Sequence, residues 1–99
     1  MTWKKIKFET YYIRKESPEA GLIEMPHDSD YSGYLFWHPK KLIRPAEQKG
    51  FYSSFSFTDD FTFVLKKYKQ NKSKKWSILD EIELSASEME AVYAEEADL

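Results

Sequence analysis

The sequence contains no cysteine, which excludes disulfides and thiolate-bound metal ions. Its three glycines, Gly21, Gly33 and Gly50, are widely separated, so they cannot form a glycine-rich loop around a phosphate. No apolar run approaches the ~20 residues that cross a membrane, and no apolar stretch follows the basic N-terminal residues as it would in a signal peptide. These absences predict a cytoplasmic protein with no membrane partner.

A catalytic motif is also missing. No serine lies in a nucleophile elbow, and there is no cysteine nucleophile. Two groups of acids could hold Mg²⁺ in a nuclease, Asp59-Asp60 and Asp80-Glu81-Glu83. Asp80 is the best candidate because it falls among the apolar positions of its strand, but a buried acid is costly unless it is paired. Pairing of Asp80 with a lysine is the favoured explanation, and we predict a non-enzymatic protein.

A third polar group consists of His27, Asp28 and Asp30. Their spacing matches no common metal-ligand motif, and the residue types are typical of a turn. We predict a structured turn here, and neither a metal ion nor another cofactor for the chain.

What the chain does contain is a high proportion of aromatic residues. Of its 99 residues, 41% are hydrophobic and 17% are aromatic, which argues against disorder. Single domains of about 100–150 residues are common. We therefore predict one domain over residues 1–99, with its own hydrophobic core.

Charge is segregated along the chain. Residues 1–76 contain fifteen Lys and Arg and nine Asp and Glu, a net charge of +6. Residues 77–99 contain eight acids and no Lys or Arg, a net charge of −8, so the whole chain carries only −2. The basic part is expected to attract polyanions, and the acidic end to attract basic surfaces or fold back on the basic part.

Basic residues are densest between Lys66 and Trp76. This segment holds six cations, two aromatic residues and no acid: Lys66, Lys67, Tyr68, Lys69, Lys72, Lys74, Lys75 and Trp76. One hypothesis is a hairpin whose lysines contact phosphates while Tyr68 and Trp76 stack on unpaired bases. The other is a solvated loop whose lysines protect strand ends from edge pairing. The predicted nucleic-acid-binding set is extended by Lys40, Lys41 and Arg44.

Trp37 and His38 come just before that second basic group. Both rings could stack on bases. Large aromatic side chains usually lie inside, so for Trp37 we favour a place in the core, with Pro39 ending an inner strand.

The acidic end begins with a capping box, Ser85-Ala86-Ser87-Glu88, followed by the apolar positions Met89, Val92 and Tyr93 on one helical face. We predict a short helix that frays after about Ala94, because acids at its C-terminal end oppose the dipole. The candidate partner-binding residues are Glu88, Glu90, Glu95 and Glu96. They could mimic nucleic acid, mask the lysine segment, or simply form a solvated face.

Elsewhere the hydrophobic period is two. It predicts a half-buried strand from Lys4 to Ile13 and a central strand, covered on both faces, from Gly33 to His38. Alternating phenylalanines between residues 51 and 65 indicate two strands joined by a hairpin at 58–60, with a bulge in one long strand as the alternative. Residues 70–75 predict a second hairpin loop. The fold class is α+β, an antiparallel sheet meander of about six or seven strands with one short C-terminal helix.

Two resemblances follow from these patterns. The order of strand, basic loop, strand and capped helix from Phe61 to Tyr93 resembles the end of the p15-type single-stranded-DNA-binding transcriptional coactivators. A short, aromatic-rich and charge-segregated chain also resembles accessory proteins of phages and mobile elements, including anti-CRISPR inhibitors. The segments that give this impression are Ser32–Arg44 and Phe55–Phe63. The second resemblance implies inhibition of a nuclease through its guide-binding or DNA-binding surface.

The leading functional hypothesis is a non-enzymatic inhibitor of a host CRISPR-Cas RNA-guided nuclease, encoded by a phage or mobile element. Its partner would be the host nuclease or ribonucleoprotein, reached by charge through the protein or its guide RNA. The alternative is a small single-stranded DNA- or RNA-binding protein that uses the lysine-rich hairpin. A third hypothesis is a structural or regulatory domain that binds only proteins. The sequence does not distinguish a monomer from an oligomer.

Overall fold

The computed structural model describes residues 1–45, 50–70 and 72–97. Within them the chain forms eight strands and one α-helix. The strands are β1 (Trp3–Glu9), β2 (Ile13–Glu16), β3 (Ala20–Glu24), β4 (Leu35–Pro39), β5 (Ile43–Pro45), β6 (Tyr52–Thr58), β7 (Thr62–Gln70) and β8 (Trp76–Ser85), and the helix is α1 (Ala86–Ala97). The predicted α+β fold, with an antiparallel meander and a C-terminal helix, is confirmed.

The strands form two antiparallel sheets. One has three strands in the order β1-β6-β5, and the other has five in the order β2-β3-β4-β7-β8. Three connections carry the chain from one sheet to the other: the 3₁₀ turns Thr10–Tyr12 and Lys40–Leu42, and the turn at Asp59 and Asp60. The first of these divides the strand predicted from Lys4 to Ile13 into β1 and β2, and the described residues hold more strands than the six or seven expected.

The turn at residues 58–60 is not the predicted hairpin. The strands on either side, β6 and β7, belong to different sheets, and the amide of Phe61 donates to the carbonyl of Thr58 at 3.0 Å to close a tight turn between them. The alternating phenylalanines meet across the core instead, with the rings of Phe57 and Phe63 5.1 Å apart. The hairpin prediction was wrong because a period of two indicates which face of a strand is buried, but not which strand pairs with it.

The core lies between the two sheets and against α1. Its fully buried side chains are Ile23, Met25, Phe36, His38, Phe55, Phe57, Phe63, Leu65 and Met89. The ring of Phe55 lies 5.5 Å from Phe8 of β1, 5.5 Å from Phe36 of β4 and 5.7 Å from Tyr93 of α1. Through these three contacts, Phe55 joins both sheets and the helix in one core. Full burial of such a side chain contributes about 1.5–3 kcal/mol.

β4 is covered on one face only. Phe36 and His38 are buried, whereas Trp37 between them is 43% exposed. The predicted burial of both faces, and the predicted core position of Trp37, are therefore wrong, because the three-stranded sheet packs on a single face of the five-stranded one. His38 cannot stack on a base: its Nε2 donates to the Ser56 carbonyl at 2.7 Å, and burial lowers its pKa.

The capping box at the start of α1 is confirmed. The amide of Glu88 donates to Ser85 Oγ at 3.2 Å, and the amide of Ser85 donates to Glu88 Oε1 at 2.9 Å. Met89 and Val92 are buried and Tyr93 is half-buried, as the helical pattern predicts. The helix continues to Ala97, beyond the end expected near residue 94.

Candidate nucleic-acid interface

The β7–β8 hairpin extends beyond the core. At its base Phe63, Leu65 and Leu84 are buried, whereas every residue from 72 to 80 is exposed. Gln70 lies opposite Trp76, which confirms the predicted hairpin loop between the two strands. We term residues 66–80 the hairpin arm; Asn71 within it lies outside the described residues.

The two aromatic residues of the arm project from the same face of the sheet. Phe63 and Leu65 are buried, so the even-numbered positions of β7, including Tyr68, project from the opposite face, which we term the outer face. Ile78 lies opposite Tyr68, and Trp76 is two residues from Ile78 on that same face. The register therefore places Tyr68 and Trp76 diagonally across the hairpin on one face, with Trp76 67% exposed.

A groove continues the outer face toward β4. Leu35 lies opposite Lys66, which is the one pair in register between described residues of β4 and β7, and Trp37 shares the face of Leu35. Beyond that pair a groove of about 270 Å³ lies against both strands, and Trp37, Val64, Lys66 and Tyr68 are among its lining residues. Trp37 thus belongs to an exposed aromatic row rather than to the core.

The lysines of the arm are divided among three positions. Lys66 is on the outer face. Lys67 and Lys69 have the opposite parity, and Lys67 Nζ lies 5.5 Å from the ring centroid of Tyr34, within the range of a cation–π contact. The exposed loop before Trp76 contains the rest, Lys72, Lys74 and Lys75.

A bulge in β8 resets the alternation. Lys67 lies opposite Asp80 and Tyr68 opposite Ile78, which leaves Leu79 without a partner in the ladder. Ile78 therefore lies on the outer face, although its position in the sequence has the same parity as Ile82 and Leu84, which lie opposite the buried Leu65 and Phe63. The cause is the extra residue Leu79, which shifts the residues before it to the opposite parity.

Asp80 lies past the end of the core and is exposed, so its predicted burial is also wrong. The partner that the structure shows for it is the hydroxyl of Tyr34 rather than a lysine. This hydrogen bond to the carboxylate raises the pKa of Tyr34.

The second basic group is not part of the arm. Lys40 and Lys41 lie in the 3₁₀ turn after β4, where Lys40 Nζ is 3.8 Å from a carboxylate oxygen of Glu16. Arg44 lies in β5 of the three-stranded sheet, opposite Ser54. The structure thus places Arg44 in a different sheet from the arm, and the predicted nucleic-acid-binding set is divided.

Acidic residues border the outer face at the base of the hairpin. Glu81 lies opposite Lys66, with 3.9 Å between Oε1 and Nζ, and Glu83 lies opposite Val64. An exposed pair of this kind contributes little to stability. Positive charge on the hairpin is therefore concentrated at the loop and declines toward the base.

Two of the four acids predicted to bind a partner have intramolecular contacts. Glu88 caps the helix, and hydrogen bonds from Ser85 lower its pKa. Glu90 Oε1 lies 3.4 Å from Lys4 Nζ of β1, so its contact is with the three-stranded sheet and not with the arm. The side chains of Glu95 and Glu96 lie outside the described residues.

The remaining polar candidates lie in turns. His27 is in a turn after Pro26, as predicted, with its Nε2 3.0 Å from Glu24 Oε2. Asp59 Oδ1 accepts from the amide of Thr2 at 3.3 Å, and Asp60 Oδ1 accepts from Thr58 Oγ1 at 2.5 Å.

Over residues 1–45, 50–70 and 72–97, no group of three or more His, Asp or Glu could hold a metal ion. No helix within the same ranges has the length and apolar character needed to cross a membrane.

Sequence reasoning missed an exposed apolar segment on β8. Ile78 and Leu79 are 52% and 58% exposed, beside the exposed Trp76. The available signal was the consecutive pair Ile78-Leu79, which breaks the period of two at the bulge.

Comparison with known proteins identifies no relative: no family model matches the chain, and neither the curated proteins nor the solved structures include a significant match.

Proposed function

We propose that this chain is a non-enzymatic protein that binds single-stranded nucleic acid along the hairpin arm. The observation that supports the proposal is the shared outer face of Tyr68 and Trp76, adjoining the loop that carries Lys72 and Lys74. Stacking of a base on an aromatic ring is worth about 1–3 kcal/mol per base, and cations along the same path hold the phosphates.

The arrangement favours single strands over duplexes. Side chains that stack on bases need the faces of the bases, which a duplex conceals within its own stack. Trp37 and the groove beside Lys66 would extend the row of base contacts toward the centre of the sheet. Glu81 and Glu83 at the base of the hairpin would limit the phosphate path to the arm.

Fluorescence anisotropy with labelled single-stranded DNA, single-stranded RNA and duplex DNA tests this proposal. If four arm lysines contact phosphates on a single strand, log K should fall with log salt with a slope of about −2.8. The double variant Lys72→Glu with Lys74→Glu should weaken binding to all sequences alike and flatten that slope. Affinity that the double variant leaves unchanged would exclude the loop as the binding site.

The stacking contribution needs a separate variant. Trp76→Ser should weaken single-strand binding about 5- to 150-fold, the equivalent of one stacked base. Trp3→Ser is the matched control, because Trp3 is 61% exposed on β1 of the other sheet. Equal losses in both variants would show that binding does not depend on the outer face.

A second candidate is an inhibitor of a host CRISPR-Cas RNA-guided nuclease, acting in the bacterial cytoplasm. The observation that favours it is the separation of charge between elements, with cations in the arm loop and acids on α1 and the second half of β8. An RNA-guided nuclease offers guide-RNA phosphates to the first and a basic channel to the second. Target cleavage by a panel of such nucleases, with the chain in excess, tests this candidate, and unimpaired cleavage throughout would contradict it.

A further inference from the structure

β8 is an edge strand of the five-stranded sheet, and no strand in the described part of the chain pairs with its outer side. Its residues from Trp76 to Glu81 are all exposed, and three of them are large and apolar: Trp76, Ile78 and Leu79. An open edge offers unpaired backbone groups to another chain, and adjacent apolar side chains add a reason to associate.

The other sheet edges are less suited to pairing. β2 has four residues and β5 has three. β1 is longer, but it carries Lys4, Lys5 and Lys7, so two β1 strands placed side by side would oppose like charges. Among the edge strands that the structure describes, β8 combines length with exposed apolar side chains.

The charge along β8 is complementary to itself. The loop before it carries Lys72 and Lys74, and its second half carries Glu81 and Glu83 without a cation. When this segment lies antiparallel against a second copy, the basic end of each copy meets the acidic half of the other. A parallel arrangement would oppose lysines to lysines and glutamates to glutamates.

We propose that two copies of this chain associate antiparallel along their β8 edges, about a two-fold axis close to Ile78 and Leu79. The bulge at Leu79 interrupts the ladder, so the contact depends on the apolar side chains and on the two Lys–Glu groups. Pairing at an edge leaves the faces of a sheet open. Tyr68 and Trp76 of both copies would then lie on one continuous face, but the association itself does not require nucleic acid.

Analytical ultracentrifugation over a range of chain concentrations measures the association directly. The wild-type chain should show a monomer–dimer equilibrium that shifts with concentration and is weakened by high salt. Ile78→Thr should raise the dissociation constant at least tenfold. Val64→Thr is the matched control, since Val64 is 40% exposed on the same face but lies away from the edge, and it should leave the constant unchanged. A wild-type chain that stays monomeric at the highest concentration would overturn the proposal.

A pair of complementary variants tests the antiparallel arrangement. Lys72→Glu with Lys74→Glu makes both ends of the segment acidic, and Glu81→Lys with Glu83→Lys makes both ends basic. Each variant alone should be monomeric, because antiparallel copies then oppose like charges at both ends. A parallel arrangement opposes like charges in the wild type already, so neither variant would weaken it further. An equimolar mixture should form heterodimers, because each end then meets the opposite charge. The heterodimer would also show that both variants are folded. A mixture that stays monomeric, although both variants unfold cooperatively on heating, would contradict the arrangement.

Discussion

His38 is packed among aromatic rings, with its centroid 5.4 Å from Phe61 and 5.8 Å from Phe63. Its Nε2 donates to the Ser56 carbonyl, and Nδ1 has no hydrogen-bond partner among the described residues. Burial lowers the pKa of His38, so the folded protein keeps the ring neutral at a pH where the unfolded chain takes up a proton. The contribution of neutral His38 to the free energy of unfolding is therefore fully present above the unfolded pKa of about 6.5. It is lost progressively as the pH falls below that value.

We expect the free energy of unfolding, measured in urea, to fall between pH 7 and pH 5 by at most about 1.4 kcal/mol per pH unit. His38→Phe should remove most of this slope, whatever its effect on absolute stability. Carboxylates with a lowered pKa, such as Glu88, lose their contribution to the free energy of unfolding only below about pH 4.5. They therefore add little to the slope between pH 7 and pH 5. A slope that persists unchanged in the variant would show that another group titrates.

The pair Trp37 and His38 shows what the sequence can and cannot predict about a residue. Residue type alone favours the core more strongly for tryptophan than for histidine. The structure reverses that order, since Phe36 and His38 share the buried face of β4 and leave Trp37 outside. Odd and even positions of β4 project from opposite faces, and this alternation decides which side chains are buried. The alternation predicts burial only once it is known that a single face of the strand is covered.

At the scale of the element, the capping box and the spacing of apolar residues were sufficient to predict helix α1. Ser85→Ala removes the side-chain acceptor for the amide of Glu88 and should cost about 1 kcal/mol of unfolding free energy. Ser87→Ala is the control, because it leaves the Ser85–Glu88 reciprocal bonds in place and should change the stability by less than about 0.5 kcal/mol. Chemical denaturation of both variants measures the difference, and equal losses would contradict the capping role.

Strands were predicted less completely than the helix. The hairpin loop between β7 and β8 is visible in the sequence because polar residues interrupt two alternating runs, and the structure confirms it. The division of the strands between two sheets is not visible, because pairing partners such as Trp3 and Thr58 are remote in the sequence. The candidate site was found through its lysines, whereas its exposed row with Trp37 depends on tertiary packing.

At the scale of the whole molecule, the two sheets should unfold together. Phe55 contacts rings on β1, β4 and α1, and truncation of a buried phenylalanine typically costs about 3–5 kcal/mol. Phe55→Ala should lower the unfolding free energy by that amount, whereas Phe51→Ala, at a side chain that is 71% exposed, should change it by less than about 0.5 kcal/mol.

Tryptophan fluorescence and circular dichroism should report the same transition midpoint, because the tryptophans are distributed over both sheets. Separate midpoints would show that the sheets are independent folding units.

The three crossings between sheets also have a consequence for synthesis of the chain on a ribosome. β1 is made first, but its neighbour β6 is complete only at Thr58, and β7 of the other sheet follows later still. Until then the nascent chain carries the apolar side chains of Ile6 and Phe8 without the strand that covers them. Formation of the native pairing must wait for more than half of the chain to be translated, and the first strand is exposed to other nascent chains throughout that interval.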